Sequence, residues 1–211
     1  MTIERFGESL RYALYVITHP FDGFWDLTHE KRGTVAAAHF ITLAMIIVNI
    51  CLETLSNFQF HEVRLERFNV VYVILAIIVP LALWTTAKWG LTTLFDGKGK
   101  FAEIYMATAY AFTPYVITTT LAIIISHFLT FEEGIIYTFL TVLGIVWSVG
   151  LVIASVMMVH DYSLSKALLA CIFTIVGIGI MLFVFTIFFS LISDGIAYFV
   201  SLYKELAFRM T

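Results

Sequence analysis

The chain has 211 residues, of which 61% are hydrophobic and 13% charged, with a mean hydropathy of +0.95. A water-soluble domain of this size lacks the polar surface to cover so much apolar material. The formal charge of −3 lacks the basic footprint of a nucleic-acid-binding protein.

The chain opens with Glu4, Arg5, Glu8 and Arg11 where a cleavable leader would be apolar, so no signal peptide is expected. Ile3, Phe6, Leu10, Ala13, Leu14 and Ile17 recur at helical spacing. They predict an amphipathic helix over residues 2–19 lying in the membrane interface. His19-Pro20 ends it, because proline disfavours the helical region for the residue before it. Phe21 to Asp26 then reads as a turn, with Trp25 as an aromatic interface anchor.

Five apolar segments follow: Val35–Leu55, Phe68–Leu91, Ile104–Leu129, Gly134–Val159 and Leu164–Ser193. Each meets the ~20 helical residues needed to cross a ~30 Å hydrocarbon core. The expected fold is all-α, a polytopic membrane protein forming one domain over residues 1–211. Five transmembrane helices carry interfacial helices at both ends, residues 2–19 and 196–210. In span one, Asn49 sits one turn before Glu53 on the same face. Span two has Pro80 near its middle and Lys88 near its end, flanked by Trp84 and Trp89. Lys88 is expected to snorkel to the headgroups, with both tryptophans as anchors. Pro114 lies near the middle of span three. Both prolines are expected to kink their helices, and Thr113, Thr118, Thr119 and Thr120 are candidates to satisfy a freed carbonyl. Gly144 and Gly150 in span four permit close helix approach. Ser193-Asp194-Gly195 is expected to break or bend the last helix before an amphipathic tail, the alternative being that the tail prolongs span five.

Cys51 and Cys171 lie in spans, at depths differing by roughly 13 Å at 1.5 Å per residue. That separation does not suit a disulfide within one chain. With the N-terminus cytoplasmic, the inner side carries Arg5, Arg11, Lys31, Arg32, Lys88, Lys98, Lys100 and Lys166. The outer side carries Arg64, Arg67, Lys204 and Arg209. The excess of inner cations predicts a multi-pass protein of the cell membrane, N-terminus cytoplasmic and C-terminus outside.

Catalytic motifs are absent from the sequence. His29-Glu30 and His61-Glu62 begin a zinc-protease HExxH, but positions 33 and 65 are Gly and Leu. No nucleophile elbow and no Walker sequence occurs. Asp96-Gly97-Lys98-Gly99-Lys100 lacks phosphate-loop spacing and reads as a solvated turn, though its lysines suit an anionic lipid surface. His160-Asp161, with Asp96, Glu103 and Asp22 or Asp26, has the residue types of a metal or proton site and equally those of helix caps. No catalytic residue, metal or cofactor is expected.

Three patterns line up along the chain. They are His19-Pro20-Phe21-Asp22-Gly23-Phe24-Trp25-Asp26-Leu27; Asp96 to Ile104 leading to Ala109-Tyr110-Ala111-Phe112-Thr113-Pro114-Tyr115; and His160-Asp161-Tyr162-Ser163. In their order and spacing around five spans, from about residue 10 to 205, the chain resembles a bacterial member of the Yip1 family of integral membrane proteins. The resemblance implies a five-span helical bundle with a cytoplasmic N-terminus. Eukaryotic relatives bind small GTPases, but their N-terminal extension and DLYGP-like motif are missing here. Some bacterial relatives accompany sugar ABC-transport components. The family offers no established catalytic residues to transfer.

The leading expectation is a non-enzymatic scaffold or accessory subunit that contacts the lipid bilayer and docks a membrane partner. An ABC-type permease is one candidate partner and self-association another. The expected docking face combines Asp22, Asp26, Asp96, Lys98, Lys100, Glu103, His160 and Asp161. The rivals are a transporter or channel subunit with its own pathway, and a membrane enzyme using the His160, Asp161 and Glu103 region.

Overall fold

The computed structural model describes residues 3–60, 68–92 and 97–210. Its elements are α1 (Ile3–Thr18), α2 (Pro20–His29), α3 (Val35–Leu55), α4 (Val70–Leu91), α5 (Phe101–Ala111), α6 (Thr113–Ser126), α7 (Gly134–His160) and α8 (Leu164–Met210). The protein is all-α among the described residues, with five helical segments long and apolar enough to cross a membrane. These are α3, α4, the α5–α6 pair, α7 with the 3-10 turn before it, and α8.

Local chemistry sets the helix boundaries. Thr34 caps α3 by accepting the Ala37 N–H, and Asn69 caps α4 by accepting from Val71 and Tyr72. Helix α4 continues through Pro80. The third span divides instead, at Phe112, with Pro114 in the first turn of α6. Pro114 has no N–H to give the Tyr110 carbonyl, four residues back. The Thr113 hydroxyl donates to that carbonyl at 2.7 Å. Across the break, the Tyr115 N–H donates to Ser148 Oγ on α7 at 3.3 Å, and the Tyr115 hydroxyl donates to Asn49 on α3 at 3.0 Å. The mid-membrane polar groups thus tie α3, α6 and α7 together.

The α5–α6 pair is the least apolar of the five segments and the most buried. It is the central element. The main core gathers Ala37, Ala38 and Ile41 of α3, Ile104, Ala107 and Tyr110 of α5, and Leu151, Ala154 and Val159 of α7. At the opposite extreme, α8 is the least buried of the five, and it seats on α4 and α7 through its N-terminal part, with Ala167, Ala170 and Thr174 buried. The exposed apolar side chains of α8, Phe183, Phe188 and Phe189 among them, form a hydrocarbon-facing surface.

Three expectations need correction. Residues 3–18 do form a helix, but α1 also packs into the core: Ser9, Ala13 and Val16 are buried. Tyr110 Oη donates to the Ser9 carbonyl, and Thr34 Oγ1 donates to Ser9 Oγ. Residues 21–26 are helix, not turn. Pro20 starts α2, a position where its missing N–H costs nothing. The Asp22-Gly23 turn signal reflects packing, since a Cβ on Gly23 would stand 3.0 Å from the Val16 backbone of α1. Finally, α8 runs unbroken through Ser193–Gly195, so no separate helix forms over 196–210. One glycine costs a helix ~1 kcal/mol, less than nucleating a second helix.

Candidate functional site

The motifs singled out in the sequence fall at the end of the bundle where α4 and α7 finish and α5 and α8 begin. Asp161 stops α7 by adopting the left-handed conformation, φ 55°, which aspartate tolerates better than most residues. The Asp161 and Tyr162 N–H groups both return to the Met157 carbonyl. This turn aims the last residue of α7, His160, back into the bundle, where it is 2% exposed.

His160 anchors the segment before α5. Its Nδ1 accepts the Gly99 N–H at 3.2 Å, and its ring stacks on Tyr162 at 5.2 Å. An accepting Nδ1 carries no proton, so the proton of the neutral ring sits on Nε2. Gly97 and Gly99 permit this docking. A Cβ on Gly97 would lie 2.6 Å from Tyr162 Oη, and one on Gly99 2.6 Å from Val159 Cγ1. Glu103 accepts the Lys100 N–H at 2.9 Å and caps α5. Two exposed ion pairs finish the surface, Lys98 with Asp161 at 2.9 Å and Lys100 with Glu103 at 3.8 Å. Pairs this exposed contribute at most about 1 kcal/mol each.

Helix α2 packs on α7 and α5, burying Phe24 and Leu27 in the core that holds Ile104 and Val159. Its charged groups make a second, separate group. Asp26 accepts the Tyr12 hydroxyl at 3.3 Å and pairs with Arg32 at 3.7 Å, while Arg32 bonds Glu30 at 2.7 Å. Burial, and then the nearby Asp26 carboxylate, push the Tyr12 phenol above its ordinary pKa. Asp22 is exposed. The structure therefore joins Lys98, Lys100, Glu103, His160 and Asp161 in one surface, and sets Asp22 and Asp26 beside it in another. Asp96 lies outside the described residues.

Trp25 and Trp89 are half exposed, Trp25 stacked on His29 and Trp89 edge-on to Phe101. Lys88 corrects its expectation. It does not reach out but is 2% exposed, and its Nζ has no hydrogen-bond partner among the described residues. The ammonium stands 5.9 Å over the Trp84 ring, the outer limit of a cation–π contact. The rotation of α4 decides this. Its Thr85, Ala87 and Lys88 face the bundle, while Trp89 and Gly90 face out. The small residues Thr85 and Ala87 beside Lys88 are the one sequence signal of a packed face. Among the described residues, no group of three or more His, Cys, Asp or Glu side chains is placed to hold a metal ion.

Comparison with known proteins adds one positive finding. The family model described as Yip1 domain matches residues 14–187. No curated protein and no solved structure matches the chain.

Proposed function

The chain belongs to the Yip1 family of membrane proteins, and from that membership we propose that it is a non-enzymatic scaffold or accessory subunit docking a membrane partner. The docking face is the surface of the Gly97–Glu103 segment and the His160–Ser163 turn, with Asp22 and Asp26 of α2 beside it. The observation that carries the reading is the seating of the Gly97–Gly99 backbone on His160 and Tyr162. That seating holds Lys98, Lys100, Glu103 and Asp161 in fixed register at the surface. Fixed charges of mixed sign suit recognition, because complementary charge sets partner choice more than raw affinity. This face is cytoplasmic, following the excess of Lys and Arg on its side of the sequence. An ABC-type permease is the first partner to test.

A photo-crosslinker placed at Lys98 or Lys100, in native membranes, should capture one stoichiometric membrane protein that a lipid-facing control at Ile145 does not. Charge reversal by Lys98→Glu with Lys100→Glu should abolish the capture at unchanged expression. Equal capture from Ile145, or capture indifferent to the reversal, removes the docking reading. Cysteine labelling of the two termini from opposite sides of the membrane tests the orientation.

A further inference from the structure

Lys88 and His160 line one narrow cleft between α4, α5 and α7, with Trp84, Thr108 and Ser155 in its walls. A second shallow depression reaches the same two residues past Tyr162 and Ala170 of the α8 side. Lys88 Nζ is buried, carries only donors, and has no hydrogen-bond partner among the described residues. His160 uses Nδ1 as the acceptor for Gly99, which leaves Nε2–H as a further donor. The Thr108 and Ser155 hydroxyls give their hydrogens to the Ile104 and Val152 carbonyls and keep only acceptor lone pairs, and neither comes within hydrogen-bond distance of Lys88 Nζ. Among the described residues, no carboxylate pairs with Lys88. Asp161 turns outward to Lys98, and Glu103 caps α5. Lys166 adds positive charge over the Tyr162 ring at 4.7 Å.

A buried ammonium without a counter-charge is disfavoured by several kcal/mol, so Lys88, unpaired among the described residues, lacks an anion. Position and size narrow the choice. Lys88 lies three residues, about 4.5 Å, before the end of α4, and His160 ends α7, which puts both near headgroup depth. The cleft is narrow and partly open. An anion held in the open part has one oxygen to direct toward Lys88.

We propose that the Lys88–His160 cleft binds a phosphate-type oxyanion, one oxygen facing Lys88 Nζ and His160 Nε2–H. Its depth favours the phosphate of an anionic phospholipid headgroup over free phosphate. The proposal is independent of the docking surface and survives its failure.

The test uses the full chain, delipidated in neutral detergent, titrated separately with phosphatidylglycerol, with diacylglycerol as the same anchor lacking phosphate, and with inorganic phosphate. Retained lipid is counted by native mass spectrometry and stability is read as the thermal midpoint. Phosphatidylglycerol should bind at one per chain and raise the midpoint, and diacylglycerol should do neither. Lys88→Met should weaken phosphatidylglycerol about tenfold or more, the loss of one charge-assisted bond. Lys88→Arg should retain most of the affinity. Without lipid, Lys88→Met should be at least as stable as the natural chain, because it removes an unpaired buried charge. A full response to inorganic phosphate with the same Lys88 dependence supports the oxyanion site and assigns it to free phosphate. An equal response to diacylglycerol, unchanged phosphatidylglycerol affinity in Lys88→Met, or no response to either phosphate source overturns the proposal.

Discussion

Gly144 offers the most direct test of how this bundle is held. Helices α6 and α7 make its most extensive helix–helix contact, and Gly144 sits inside that contact, buried. A Cβ built there would overlap Thr118 Oγ1 and lie 3.2 Å from Thr118 Cβ and 3.3 Å from the Tyr115 backbone. The Thr118 hydroxyl is also pinned by its bond to the Pro114 carbonyl at 3.0 Å. Gly150 lies two turns along the same helix, exposed, with nothing within 4 Å of its built Cβ. Alanine at either position gains the same helix propensity, about 1 kcal/mol at most. Only Gly144→Ala adds the overlap, and overpacking of this kind costs about 1–3 kcal/mol. At about 2–4 °C per kcal/mol for a chain of this length, Gly144→Ala should melt about 2–12 °C below Gly150→Ala in the same detergent. Thr118→Ala removes the overlapping oxygen, so in that background the gap should fall by at least half. Equal midpoints for the two alanines, or a gap indifferent to Thr118→Ala, would refute the close-packing argument.

Three further outcomes follow from named contacts. Tyr110→Phe removes the hydroxyl that reaches Ser9 and should lower stability by about 1–2 kcal/mol, seen as a lower thermal midpoint and earlier proteolytic release of α1. Gly99→Val should push the loop off Val159 and His160, so that protease cuts near residue 98 much faster while the spans stay protected. Lys98→Ala should change the thermal midpoint by the equivalent of less than about 1 kcal/mol, because both partners of its ion pair are exposed; a larger loss would mean that the pair holds the loop in place of the backbone bond to His160.

The candidate site was half legible from sequence. The glycine-bearing Gly97–Glu103 and the short His160–Asp161 stand out as polar stretches between apolar runs, and the structure brings them into contact. Asp26 was grouped with them by its side of the membrane alone. It turns instead to Tyr12 and Arg32, because the α1–α2 hairpin that supplies those partners is a tertiary feature. Lys88 departs from its expected place for a related reason. A lysine near a span end can reach the headgroups or turn inward, and the difference is a rotation of α4 that its own apolar sequence leaves open on every side.

What the sequence determined by itself is the number of spans. Bilayer thickness imposes a length rule on apolar runs, and a run obeys it whatever its neighbours are. The Pro114 interruption and its Thr113 partner were legible for the same reason, since a missing N–H and a nearby hydroxyl are local facts. The tertiary structure alone decided which span is central and which faces lipid. It also set α1 into the core, carried α8 straight through Gly195, and turned Lys88 and His160 toward one cleft. In hydrocarbon, burial against a helix and exposure to lipid favour nearly the same apolar residues. Sequence hydrophobicity therefore cannot rank the faces of these helices, and packing, through Gly144, Gly23 and the small residues around Lys88, does.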